Sequence, residues 1–230
     1  MKRLMMAAAV MGVGAMALVV AAEGPATATA PGGAATQKVL PVQKKVVGAL
    51  MLALNAGDEA KVRATLVIAK EHEDAVAAML KMTAATAQLQ LVAVKTFGEE
   101  GSKAFGKVSA ELTEGRLKAI RDAEMNEEGD TTKIVIAEDR SLGYSGGELL
   151  LKKIGGEWKI DAGSLFQLNS YKAEELKQRI ALAGKMTALT GDVTKEIAAG
   201  KFTAAEEARV SFWKRADAIS KEGAATTQGK

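Results

Sequence analysis

Between Leu117 and Asp161 the apolar residues change from helical to alternating spacing, and this stretch limits what the rest of the chain can become. It predicts about four short antiparallel strands joined by tight turns. The first runs over Leu117–Met125, and Asn126–Asp130 supplies a turn in which Gly129 is free to take positive φ. Thr131–Ala137 is the clearest strand, β-branched at Thr131, Thr132, Ile134, Val135 and Ile136. After a polar loop, Tyr144–Ile154 returns with a bulge expected at Gly146-Gly147. Gly155-Gly156 is a two-residue hairpin signal leading into Glu157–Asp161. In that last strand Trp158 and Ile160 share one face and Glu157, Lys159 and Asp161 the other, the pattern of a sheet with one face covered.

The flanks read as helices. Pro41 opens Val42–Leu54, Asn55-Ala56-Gly57 ends it, and Asp58 is placed to cap a second helix carrying Val62, Leu66 and Ala69. The polar run Glu71–Asp74 predicts a bend with Asp74 as a fresh cap. Val76, Leu80, Ala87, Leu91 and Val94 then form a stripe as far as Phe97, where Gly98 stops it. Phe105, Val108 and Leu112 predict one further short helix. Beyond the sheet, Ser170 is a cap for a helix carrying Leu176, Ile180 and Ala183, which either continues to Ala199 or breaks at Thr190-Gly191. Thr203-Ala204-Ala205-Glu206 is a capping box for a last helix running to about Ser220. The expected fold is α+β: N-terminal helices packed on a roughly four-stranded antiparallel, cone-like meander, then a C-terminal helical hairpin.

Apolar residues make up 48% of the 230 but aromatics only 4%, which favours helices packed closely through small side chains. Met1-Lys2-Arg3 ahead of the uncharged run Leu4–Ala22 has the pattern of a secretory signal peptide, cut near Ala22/Glu23; a retained membrane anchor is the alternative. Without Lys2 and Arg3 the balance is 29 basic against 28 acidic residues, which gives no footprint for nucleic acid. There is no Cys, so disulfides and thiolate chemistry are excluded. Residues 23–37, rich in Ala, Thr, Gly and Pro, read as a disordered linker. The division expected is signal peptide 1–22, linker 23–37, α+β domain 38–168, helical hairpin 169–222 and disordered tail 223–230. The mature protein is expected to be secreted or periplasmic, with no membrane attachment after cleavage.

Catalytic and metal signatures are sparse. His72 is the only histidine, and the zinc helix signature needs a second one four residues on, where Val76 stands. A solvated histidine at a helix junction is the simpler expectation, and Met79 and Met82 read as core filler. Asp161 reads as a solvated strand-end carboxylate. No catalytic residue, metal or cofactor is predicted.

The order of helices, meander and terminal strand Gly155-Gly156-Glu157-Trp158-Lys159-Ile160-Asp161, with Gly129-Asp130 before Thr131–Ala137, resembles the nuclear-transport-factor-2-like superfamily, nearest its secreted bacterial members of unknown function. The resemblance covers roughly residues 42–165 and implies a curved sheet with a concave pocket. In enzyme members such a pocket holds an acid/base residue, and this chain offers no His there. Arg121, sharing a strand face with Leu117, Ala119, Ala123 and Met125, is a candidate for an anionic ligand, while Tyr144 and Trp158 are candidates to line the pocket. The leading expectation is an exported non-catalytic binding or assembly protein that engages a protein partner or itself through the C-terminal helices. The alternative is a small-molecule carrier or isomerase/dehydratase-like enzyme using the concave face.

Overall fold

The structure is a computed structural model and describes residues 40–106, 110–139 and 147–227. The signal and linker expectations (1–22, 23–37), Val108, the loop at Arg140–Gly143, Tyr144 and Gly146 lie outside the described residues. The chain is α+β. Helices α1 (Val42–Ala56) and α2 (Glu59–Thr65) lead into a two-residue strand β1 (Leu66–Val67). A 3-10 turn, Lys70–His72, opens the 25-residue helix α3 (Glu73–Phe97), followed by α4 (Glu99–Phe105) and α5 (Ala110–Asp122). Strands β2 (Glu124–Glu128), β3 (Thr131–Ile136), β4 (Gly147–Ile154) and β5 (Glu157–Asp161) come next. The chain finishes with α6 (Ala162–Leu165), α7 (Ala173–Ala198) and α8 (Ala205–Thr227).

The sheet has five strands in the order β1-β5-β4-β3-β2, with β1 parallel to β5 and the others antiparallel. The fifth strand, β1, is a correction: Leu66 pairs with Ile160 instead of continuing the α2 stripe. One register row crosses the whole sheet as Leu66, Ile160, Leu151, Thr132 and Glu127, all on the inner face. Gln43 of α1 donates to Glu127 Oε2 at 2.9 Å, so the row's charged end meets a helix rather than an apolar wall. The first strand also begins later than its alternation suggests. Helix continues through Asp122 because Leu112, Arg116 and Ile120 recur every four residues, and Arg116, although charged, is buried on that stripe. Lys44 of α1 donates to the carbonyls of Arg121 and Ala123, both at 2.6 Å, and so satisfies acceptors where α5 ends.

Two caps match their residues. Gly57 ends α1 at φ 64, and a Cβ there would come within 2.9 Å of Ala87 Cβ, so glycine is required for backbone conformation and for close approach to α3. Asp58 accepts the Lys61 N–H at 3.0 Å and opens α2. Others differ. Helix α3 starts at Glu73, with Asp74 inside its first turn. Ser170 closes a 3-10 turn by donating to Gln167 O, and the N–H of Lys172 is met by Glu175. Helix α7 runs unbroken through Gly191. Helix α8 starts at Ala205, so Glu207 rather than Glu206 reaches back to the Thr203 N–H at 3.0 Å. It continues to Thr227, beyond the end near Ser220 that the polar composition suggests.

Two apolar clusters are joined by α3. The first packs the inner sheet face under α1, α2 and the start of α3, with Ile134, Leu151 and Ile160 each 0% exposed. Burying side chains of that size contributes about 1.5–3 kcal/mol apiece. The second packs the later turns of α3 against α7 and α8 through Leu89, Ala93, Val193, Ile197, Ala208 and Phe212. Arg215 of α8 pairs with Glu196 of α7 at 2.9 Å, and Lys185 of α7 with Glu222 of α8 at 3.1 Å. Among the described residues Lys70–Phe97 is long and apolar enough by composition to cross a membrane, and service to two cores accounts for that apolarity.

Candidate functional site

The sheet's inner face is filled by side chains. Alternate residues of β3 (Thr132, Ile134, Ile136) and of β4 (Leu149, Leu151) point under the helices, and all are buried. Of the candidates proposed for a pocket there, Arg121 and Trp158 are among the described residues and Tyr144 is not. Arg121 lies on α5, not on a strand, and is exposed. Trp158 is half-buried at the margin of the first core, with Lys153 Nζ 6.0 Å from its ring centre. Asp161 is not solvated: its carboxylate accepts the Ser164 N–H at 2.9 Å and Lys152 Nζ at 2.8 Å, capping α6 and holding β4 to β5. His72 is buried rather than solvated, and among the described residues its Nδ1 has no hydrogen-bond partner. Among the described residues no group of three or more His, Asp or Glu is placed to hold a metal.

Space for a ligand lies in the second core. The described residues of α3, α4, α7 and α8 line a half-open cavity of about 660 Å³, within the range that takes small organic molecules. Its origin is the way α4 is held between α3 and α8. Gly98 takes φ 63 and turns the chain back so that α4 runs antiparallel along the end of α3. Gly101 sits directly on the Ala93 backbone, where a Cβ would be 2.5 Å from the Ala93 carbonyl carbon. Further along, the Gln90 amide donates to Phe105 O at 3.0 Å and to Gly106 O at 3.4 Å, capping the C-terminus of α4. Phe105 then meets Phe212 of α8 edge-on, with centroids 6.3 Å apart. The short helix is thus propped between α3 and α8, and the space behind it stays open.

The interior of the cavity is lined by Met82, Leu89, Met186 and Phe212, with Thr83, Thr86, Thr190 and Gln90 as the polar wall. Methionines adapt their shape to what they contact. Each threonine hydroxyl donates to the carbonyl four residues earlier, at 2.8–3.0 Å. The rim carries Glu100 and Lys103 of α4 and Glu206 and Arg209 of α8. Arg209 grips Glu206 through two hydrogen bonds of 2.6 and 2.7 Å, which hold the carboxyl below its ordinary range and push the guanidinium up. Lys103 is raised by its 2.7 Å contact with Glu99, whose carboxyl is lowered in turn. Trp213, 41% exposed, stands at the mouth, packed edge-on against Phe212.

None of these residues is a site candidate in the sequence. Gln90 is hidden within an apolar stripe whose phase is misjudged in its second half: Leu91 is exposed, and Leu89, Gln90 and Ala93 face inward. The one available signal was glycine at both ends of the seven-residue α4, with a third in its first turn. The chain matches no protein-family model, no curated protein and no solved structure.

Proposed function

We propose that the chain is an exported, non-catalytic binding protein that holds a small organic molecule in the cavity between α3, α4, α7 and α8. The observation that carries this reading is the cavity itself, apolar inside and propped open by α4. Its rim supports binding over catalysis: the pairing of Glu206 with Arg209, and of Lys103 with Glu99 beside the rim, favours their charged forms, whereas a general acid or base near neutral pH needs a shift the other way. Export rests on Met1-Lys2-Arg3 and Leu4–Ala22, and the mass of the mature N-terminus tests it.

The meander β2–β5 under a helical cover, ending in Trp158 and Asp161, supports a cone-like, nuclear-transport-factor-2-like relationship with a terminal helical hairpin added. In that reading the second core takes over the role of the superfamily's concave pocket, since Ile134, Leu151 and Ile160 occupy the sheet's inner face. Assembly through the last helix is a second reading, favoured by the exposed Val210 and Trp213 one turn apart on α8. Sedimentation of wild type and Val210→Ser separates the two. A monomer in both cases, with ligand bound, supports the cavity; a dimer lost in the variant supports assembly.

A further inference from the structure

The cavity offers its hydrogen-bond donors at one end only. Inside, Thr83, Thr86 and Thr190 direct their hydroxyl protons to the carbonyls of Met79, Met82 and Met186 on their own helices. The amide nitrogen of Gln90 is likewise committed, to Phe105 O and Gly106 O. The rest of the interior is thioether, aliphatic and aromatic. A carbonyl oxygen carried inward would lose its water and meet no donor in exchange.

The mouth differs. Arg209 and Trp213 are four residues apart on α8, so they lie one turn apart on one side of that helix, and both line the cavity. Glu206 takes one N–H from Arg209 Nε and one from Nη2, which leaves the Nη1 end of the guanidinium to donate elsewhere. Trp213 is held edge-on against Phe212 with ring centres 5.6 Å apart, and among the described residues its indole N–H has no acceptor. Charge narrows the choice of ligand. Arg209 and Lys103 are already paired with Glu206 and Glu99, and Glu100 stands on the same rim. An anionic acceptor would enter among three carboxylates, and a neutral one escapes that repulsion.

Resting on the reading of this cavity as a binding site, we propose that its ligand is an uncharged molecule that enters apolar end first and leaves one hydrogen-bond acceptor, a ketone, ester or amide carbonyl, at the mouth, received by Trp213 Nε1–H. The free end of the Arg209 guanidinium is the second donor within that turn of α8. The apolar body fills the space against Met82, Leu89, Met186 and Phe212, so the site has a direction as well as a volume.

The test uses the full chain with methyl-labelled methionine and ¹⁵N-labelled tryptophan. The Met82 and Met186 signals report occupancy, and the indole N–H of Trp213, told from that of Trp158 by a Trp158→Phe variant, reports the head group. The probes are 2-acetylnaphthalene, 2-isopropenylnaphthalene, 2-naphthoate and 2-(aminomethyl)naphthalene, which share a body; the first two differ only in C=O against C=CH2. The expected result is that the ketone binds about three- to tenfold tighter than the alkene, as one hydrogen bond gives, and tighter than either ion. The Trp213 indole N–H moves further downfield with the ketone than with the alkene. In Trp213→Phe, which keeps a ring against Phe212, the advantage of the ketone shrinks while the alkene still binds. If the alkene binds as tightly as the ketone, if either ion binds tightest, or if the ketone keeps its full advantage in Trp213→Phe, the acceptor assignment is overturned, and shifts of the Met82 and Met186 signals leave the binding site standing. No shift of those signals by any probe overturns both.

Discussion

Gly101→Ala separates two effects of opposite sign. On helix propensity alone the change stabilises, by about 1 kcal/mol. Here the new Cβ falls against the carbonyl group of Ala93 and 3.1 Å from Val94 N, all main-chain atoms of the long helix α3. Backbone cannot rotate aside as a side chain does, so overpacking costs about 2–3 kcal/mol. The net is a loss of about 1–2 kcal/mol. Gly184→Ala is the matched control: this residue lies inside α7 with nothing within 4 Å of its added Cβ, and the same substitution there gains about 0.5–1 kcal/mol. Urea unfolding of the two variants and wild type reads this directly. At a slope of about 2 kcal/mol per molar urea, the midpoint of Gly101→Ala falls by roughly 0.5–1 M and that of Gly184→Ala rises slightly. If Gly101→Ala is as stable as wild type or more so, α4 is not seated on the Ala93 backbone, and the account of why the cavity stays open fails.

Leu151→Ala, at the centre of the inner sheet face with no exposed surface, loses about 3–4 kcal/mol in the same assay. Lys44→Met removes both hydrogen bonds to the end of α5 and loses about 1 kcal/mol, with faster amide exchange expected over Leu117–Asp122. Asp58→Ala removes a cap whose carboxylate is lowered from 3.8, first by accepting the Lys61 backbone N–H and then by its ion pair with Lys61. A lowered folded pKa means that the stabilisation is complete above 3.8 and is lost as pH falls through the folded value. The gap between wild type and Asp58→Ala in thermal melts therefore holds at neutral pH and narrows below 3.8; a gap that does not depend on pH contradicts the cap.

How much of this was legible depends on whether a signal was local. Gly155-Gly156 between β4 and β5, Asp58 at the head of α2 and Gly98 at the end of α3 each act through their own backbone, and each is found where the sequence puts it. Misreadings came where tertiary partners decide. Leu66 pairs with Ile160, almost a hundred residues away, and nothing in its neighbourhood announces a two-residue strand. Arg121 is on a helix whose buried positions are Arg116 and Ile120, and a charge at the first of these is one that an apolar pattern cannot count. The cavity was illegible for a related reason. It arises from a close approach at Gly101 and an amide, Gln90, that bridges two elements, and neither leaves a periodic trace.

Native mass spectrometry of the full chain from its natural source tests the central claim most directly, compared with Thr86→Trp, which places an indole in the cavity beside Met82 and Gln90. The account predicts a noncovalent adduct of a few hundred daltons, roughly what a pocket of this size takes, released on denaturation and missing from the folded variant. An adduct retained at equal occupancy by Thr86→Trp, or none in either protein, contradicts it.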